Sequence, residues 1–246
     1  MAGKRTALIT GSNKNIGRAC ALALAKDGCS VVINGSQDRQ AAQKVANEAR
    51  ELGVEALVAM GDVGKREDCM RMAEESLAKF GTVDVLVNNA AVREDGGFLE
   101  LSEDEWRRVM AINFDASYWL SRALLPGMVG KGWGRIINFA GMNAIHGYNG
   151  RAHVSASKHA SWGLTKALAK EFGPKGITTN IVSPGPIMGE EQDAVQAAHI
   201  TPMKARVPVG RLGTPGEVAA AVALLASDAG AFINGQMIQV NGGAET

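Results

Sequence analysis

At 246 residues, with 46% hydrophobic and 21% charged side chains, the chain has the length and apolar content of one globular domain with a buried central sheet, which excludes a disulfide-stapled mini-protein and a disordered tail. Lys and Arg total 26 against 25 Asp and Glu, a net charge of +1, so the charge balance attracts neither nucleic acid nor an anionic membrane surface, and a small molecule is the expected partner. The longest apolar run, Val218 to Ala226, falls far short of the ~18 residues of a membrane span, and Met1–Gly11 lacks a secretory h-region. The expectation is a cytoplasmic protein. Cys20, Cys29 and Cys69 are odd in number and lack Cys-x-x-Cys spacing, so they read as reduced packing residues, with neither a disulfide framework nor a metal site expected.

Short β-branched runs alternate with Ala-rich helical patterns along the whole chain. Thr6–Thr10, Val31–Asn34, Ala56–Met60, Val83–Asn88, Arg135–Phe139, Thr178–Val182 and Met237–Val240 read as strands. Ala19–Lys26, Ala41–Leu52, Arg66–Phe80 and Ser155–Phe172 read as helices. Ser102 with Glu105, and Thr214 with Pro215 and Glu217, are capping-box spacings that mark two further helix starts. This alternation predicts right-handed βαβ crossovers: a doubly wound α/β fold, a seven-stranded parallel sheet of Rossmann type in a single domain covering 1–246. Only Gly185–Val209 breaks the rhythm, and an irregular stretch after a strand is where a substrate lid over about 185–209 would sit.

The first strand ends in Thr10-Gly11-Ser12-Asn13-Lys14-Asn15-Ile16-Gly17 and runs directly into a helix, the context in which a glycine turn and a helix N-terminus approach a pyrophosphate. The turn resembles the Thr-Gly-x-x-x-Gly-x-Gly turn of the short-chain dehydrogenase/reductase family. The likeness continues in order through Asp62-Val63, Asn88-Asn89-Ala90-Ala91, Asn113, Lys158, Pro184-Gly185 and Asn241-Gly242-Gly243, and is nearest to the 3-oxoacyl-carrier-protein reductase-like subgroup. Through it, the expected dinucleotide contacts are Gly11, Asn13, Lys14, Asn15, Ile16, Gly17, Asn34, Ser36, Asp62, Val63, Asn89, Ala90, Ala91, Ile112, Lys158, Pro184, Gly185 and Ile187. Asn15 replaces the family's middle glycine, and Asn is the non-glycine residue that best tolerates positive φ. Ala91 adds one methyl group where the family has glycine. Asn34-Gly35-Ser36 follows the second strand in place of a carboxylate that would repel a 2′-phosphate, and Lys14 stands where NADP-using relatives carry a basic residue, so NADP(H) is expected over NAD(H).

In the resembled family, a serine after the fifth strand binds the substrate oxygen. A tyrosine in Tyr-x-x-x-Lys transfers the proton, the lysine holds the ribose, and an asparagine holds a relaying water. Asn113 and Lys158 match the last two. Gly141 falls at the serine and Val154 at the tyrosine, and neither side chain can give or take a proton. His146, Tyr148 and His153, with Asn143 nearby, are the replacements the neighbouring sequence offers. Lys158, without a tyrosine in front of it, also has the chemistry of a base or a Schiff-base amine. Three functions follow: an NADP(H)-dependent oxidoreductase with an atypical site; a non-redox lyase, isomerase or dehydratase using the same pocket; or a cofactor-binding pseudoenzyme acting as a sensor or partner subunit. The resemblance also implies a homotetramer, with Val218–Ala226 and Phe232–Val240 apolar enough to bury an interface.

Overall fold

A computed structural model describes residues 4–189 and 204–245, and at 143 and 144 the backbone alone. The seven strands are β1 (Thr6–Ile9), β2 (Ser30–Ile33), β3 (Ala56–Val58), β4 (Val85–Asn88), β5 (Gly134–Phe139), β6 (Ile177–Pro184) and β7 (Met237–Val240). All neighbouring pairs are parallel, in the order β3-β2-β1-β4-β5-β6-β7. The helices are α1 (Asn15–Lys26), α2 (Arg39–Glu51), α3 (Arg66–Phe80), α4 (Glu103–Met110), α5 (Ala116–Lys131), the short α6 (Met142–His146), α7 (Ala152–Phe172) and α8 (Pro215–Ala226). The seven strands and the doubly wound class agree with the sequence. Boundaries move by a few residues: β4 starts at Val85 rather than Val83, and α7 starts at Ala152 rather than Ser155. Most of the lid expected over about 185–209 lies outside the described residues.

The strands are buried on both faces, so their side chains divide by alternation into two cores. Ala7, Ile9, Val31, Ile33, Val85 and Val87 face α1, α2 and α8, where Cys20, Ala21, Leu24, Val45, Val218 and Val222 meet them. Leu8, Val32, Leu86 and Ile136 face the other layer, built from Met72, Leu120, Leu124 and Met128 of α3 and α5. Small residues on α1 and α8 let these two helices pack closely. That contact consumes much of the apolar run expected at a subunit interface: Val218, Ala219, Val222, Leu225 and Ala226 are buried within the chain, whereas Leu224 and Phe232 point outward. All three cysteines are buried, and desolvation pushes their thiols up, Cys20 and Cys69 to about 12 and Cys29 to about 11, as suits packing residues.

Caps fix the helix starts. The Ser102 hydroxyl accepts from the Glu105 amide at the head of α4, and Thr214 and Glu217 form a reciprocal capping box at α8. Between α4 and α5 the chain makes one π-turn, Ala111–Asp115, which carries Asn113. A polar link then ties α7 to the sheet: Asn88 Nδ2 donates to Asn138 Oδ1 at 2.8 Å across the β4–β5 register, and Asn138 Nδ2 donates to Thr165 Oγ1 at 2.9 Å. Because all three side chains are buried, Asn138→Ala leaves Asn88 Nδ2 without its partner and takes a donor from Thr165 Oγ1, which keeps its own bond to the Ser161 carbonyl. It should lower the unfolding free energy by ~2–3 kcal/mol, measured by urea denaturation; a change within experimental error would show that the link contributes nothing to holding α7.

Candidate active site

The chain leaves β1 for α1 on one face of the sheet and leaves β4 for the opposite face, and this reversal opens a crevice at the strands' C-terminal ends. The crevice contains two adjoining cavities. The first, of about 300 Å³, is lined by Gly11, Asn13, Lys14, Asn15, Ile16, Gly17, Asn34, Ser36, Asp62, Val63, Asn89, Ala90, Ala91 and Ile112. The second, of about 360 Å³, is lined by Gly141, Tyr148, Val154, Lys158, Pro184, Gly185 and Ile187. Ile16 and Arg93 line both. Every residue expected to touch a dinucleotide therefore faces one cavity or the other.

The glycine turn has the geometry its sequence requires. Gly11 has φ +60°, and Asn15 has φ 49°, the one positive value at a non-glycine position among the described residues. A Cβ on Gly17 would lie 2.1 Å from the Gly11 carbonyl oxygen, so only glycine closes the turn. Asn89 braces it from β4, with Nδ2 donating to the carbonyl oxygens of Thr10 and Gly11 at 2.9 and 3.0 Å. Asn34 braces it from β2: Oδ1 accepts from the Gly11 amide at 3.0 Å, and Nδ2 donates to the carbonyls of Ala59 and Gly61. Although Asn34 lines the cavity, its amide is spent on protein. Asn34 thus has a scaffolding role at the cavity it lines. Lys14 and Ser36 are exposed at the rim. α1 starts with no capping side chain and no acid in its first turn, so its N-terminal dipole faces the cavity ready for an anion.

At the second cavity, Lys158 is buried, and its Nζ donates to the Phe139 carbonyl oxygen at 2.8 Å. Burial, and then the neighbouring Arg93, push its amine down to about 7. Asn113 lines neither cavity. Its Oδ1 accepts from the Val92 amide at 2.9 Å, and its Nδ2 donates to the Val92 carbonyl at 3.0 Å and to Ser157 Oγ at 3.2 Å. Its own carbonyl oxygen accepts from Ser161 Oγ at 3.3 Å. Asn113 thus latches the loop after β4 to α7. Gly141 has extended backbone with nothing within 4 Å of a built Cβ, and Val154 packs with Val109 beside Val92.

Of the three replacement donors, the structure brings only Tyr148 to the cavity. His153, next to Val154, turns away into a fully buried place where neither ring nitrogen meets a protein partner. One residue along a helix rotates a side chain by ~100°, which accounts for the separation. His146 faces the Glu245 carboxylate at 3.8 Å instead. The Asn143 side chain lies outside the described residues. Arg93 and Arg151 line the second cavity and were not singled out from the sequence. Each sits in a loop whose path only the folded chain reveals, and the sole local signal was a basic residue shortly after Asn88-Asn89-Ala90.

Over residues 11–245 the chain matches the family described as enoyl-(acyl carrier protein) reductase. It is 36% identical over 240 residues to nodulation protein G of Azospirillum brasilense, spanning 98% of both proteins. It is also 36% identical over 239 residues to the 3-oxoacyl-[acyl-carrier-protein] reductase of Staphylococcus epidermidis, spanning 97% of this chain and 98% of that one. Among solved structures, one assigned as an NAD(P) dependent gluconate 5-dehydrogenase from Beutenbergia cavernae, with NADP bound at low occupancy, has a TM-score of 0.90 at 37% identity and covers 99% of this chain and 97% of its own. The chain belongs to the short-chain dehydrogenase/reductase family, a family of oxidoreductases.

Lys158 leads to a pH signature. A lysine whose amine is held at about 7 when folded and returns to about 10.5 when unfolded destabilises the fold fully below pH 7. That cost fades as pH rises through the window between the two values, because there the unfolded chain binds the extra proton. Relative to Lys158→Met, the natural protein should therefore gain stability from about pH 7 to about pH 10, read by urea denaturation at stepped pH. A stability difference that stays flat across this window would contradict the depressed amine.

Proposed function

We propose that the protein is an NADP(H)-dependent oxidoreductase acting on a small carbonyl compound, with an active site from which the family's serine and tyrosine are missing at Gly141 and Val154. The observation that carries this reading is the pair of adjoining cavities. One faces the uncapped N-terminus of α1, which suits a pyrophosphate, and the other holds Lys158 and the remaining chemistry. The NADP-bound relative of matching fold supports the choice of nucleotide. The 2′-phosphate would meet Lys14 and Ser36 at the rim.

When bound, the reduced dinucleotide supplies the hydride that the carbonyl carbon receives. The chain's own task is the oxygen, which gains the C=O electron pair and needs a proton. Among the described residues Tyr148 carries the only side-chain hydroxyl lining the second cavity, and it donates that proton. The Arg151 guanidinium, 4.9 Å from the centre of its ring, faces the charge left behind, and solvent returns the proton to the half-exposed phenol. Lys158 holds ribose hydroxyls and contributes positive charge, while Asn113 positions α7. We also read the assembly as a homotetramer, supported by the outward Leu224 and Phe232.

A second reading is favoured by the depressed Lys158 amine: a non-redox lyase or isomerase in which that amine removes a proton from the substrate. Turnover without change in nicotinamide absorbance would mark it. Nucleotide binding without turnover of any carbonyl compound would mark a sensor or partner subunit.

Calorimetry should show NADPH binding more tightly than NADH, with Lys14→Glu abolishing the preference. NADH binding at least as well as NADPH, or neither binding, would overturn the nucleotide assignment. The reaction itself is tested by restoration. Simple ketones should be reduced slowly by the natural protein, and Tyr148→Phe should lower that residual rate. Gly141→Ser with Val154→Tyr should raise kcat by ~10²-fold, since a serine meets open space and a phenol enters beside Lys158. Fast native ketone reduction that survives Tyr148→Phe would sink this assignment.

A further inference from the structure

Three cationic side chains, Arg93, Arg151 and Lys158, line the second cavity, and among the described residues no carboxylate does. Their partners differ. Arg151 is neutralised by Asp95 through two hydrogen bonds of 2.5 and 3.0 Å. Lys158 donates to the Phe139 carbonyl, which bears no formal charge. Arg93 makes no hydrogen bond or ion pair with any described residue. The two acids that follow it are committed elsewhere, Glu94 to Arg108 at 2.5 Å and Asp95 to Arg151. Arg93, which also reaches solvent, and the buried Lys158 therefore face one cavity without a counter-charge among the described residues, and its remaining described walls are largely apolar: Ile16, Met142, Val154 and Ile187.

We infer that this cavity receives a substrate carrying a carboxylate close to its reacting carbonyl, a small oxo acid, and that Arg93 is the carboxylate's partner. The inference rests on the reading of the second cavity as the substrate site and adds the class of substrate. Like charges gathered at an apolar-walled cavity repel one another until an anion enters. Burial first, and the neighbouring Arg93 second, disfavour the charge on Lys158. A guanidinium presents a planar fork that matches a carboxylate, and about 360 Å³ accommodates a compound of a few carbons. Arg93 also lines the first cavity, so a dinucleotide phosphate is the competing partner. That cavity already has the α1 N-terminus and Lys14 for phosphate, whereas in the second only Arg93 offers an unpaired guanidinium.

The test is calorimetry on the full chain, with and without NADP⁺, using acetoacetate and methyl acetoacetate, which share a skeleton and differ in charge. The natural protein should bind the acid at least about tenfold tighter than the ester. Arg93→Met should bring the two to parity, Arg93→Lys should keep part of the difference, and NADPH affinity should stay within about twofold in both variants. Equal binding of acid and ester, binding of neither, or an Arg93→Met protein that loses NADPH but keeps the discrimination would overturn the inference. Should Arg93→Met fail to fold, phenylglyoxal labelling of the natural protein decides. Acetoacetate, and not its ester, should protect Arg93, and absence of protection overturns the inference. Discrimination at Arg93 in a protein that binds no nicotinamide nucleotide would instead overturn the cofactor reading and leave the anion site standing.

Discussion

The site depends on one topological constraint: β1 and β4 lie side by side and send the chain to opposite faces of the sheet. No helix covers the strand ends at that reversal, so the crevice is open by construction, and its rims must be held by hydrogen bonds. Thr10, Asn34 and Asn89 supply them, joining the ends of β1, β2 and β4 around the glycine turn. Their side chains face backbone amides and carbonyls that would otherwise be buried without partners. The turn is thereby rigid before any ligand arrives, and a preorganised turn loses little freedom on binding.

A second brace sets the chemistry. Asn113, in the π-turn between α4 and α5, grips both backbone groups of Val92 and reaches Ser157 on α7. The same residue thus fixes the loop that carries Arg93 and the helix that carries Lys158. With those two elements held together, Arg93 and Lys158 face the same cavity. This separates the roles within the site. Asn34, Asn89 and Asn113 shape it, while Lys14, Arg93, Tyr148 and Lys158 face the space where reactants lie.

Gly141 and Val154 give the second cavity a different character from one lined by two hydroxyls. It holds positive charge and apolar surface, with a single phenol from a loop. Tyr148 sits between Gly147 and Gly150, both at positive φ. A donor on such a loop is placed less tightly than one on a helix, because fewer packed neighbours fix its rotamer.

Much of this was legible in the sequence. Alternating β-branched and Ala-rich segments determined the sheet and its class, because burial on both faces demands near-continuous apolar strands. Thr10 to Gly17 determined the turn, because a Cβ at Gly17 would collide with the Gly11 carbonyl and Gly11 takes a positive φ that glycine adopts freely, and Lys158 and Asn113 were identifiable by motif. The tertiary structure alone decided which way side chains point. Tyr148 and His153 were equal candidates as letters, yet one lines the cavity and the other is sealed in the core. That Asn34, which lines the first cavity, also braces the glycine turn only the folded chain shows. Arg93 was invisible as one basic residue among 26, since a charge gains meaning from the partners it lacks, and only the folded chain shows that Glu94 and Asp95 have been taken by other guanidiniums.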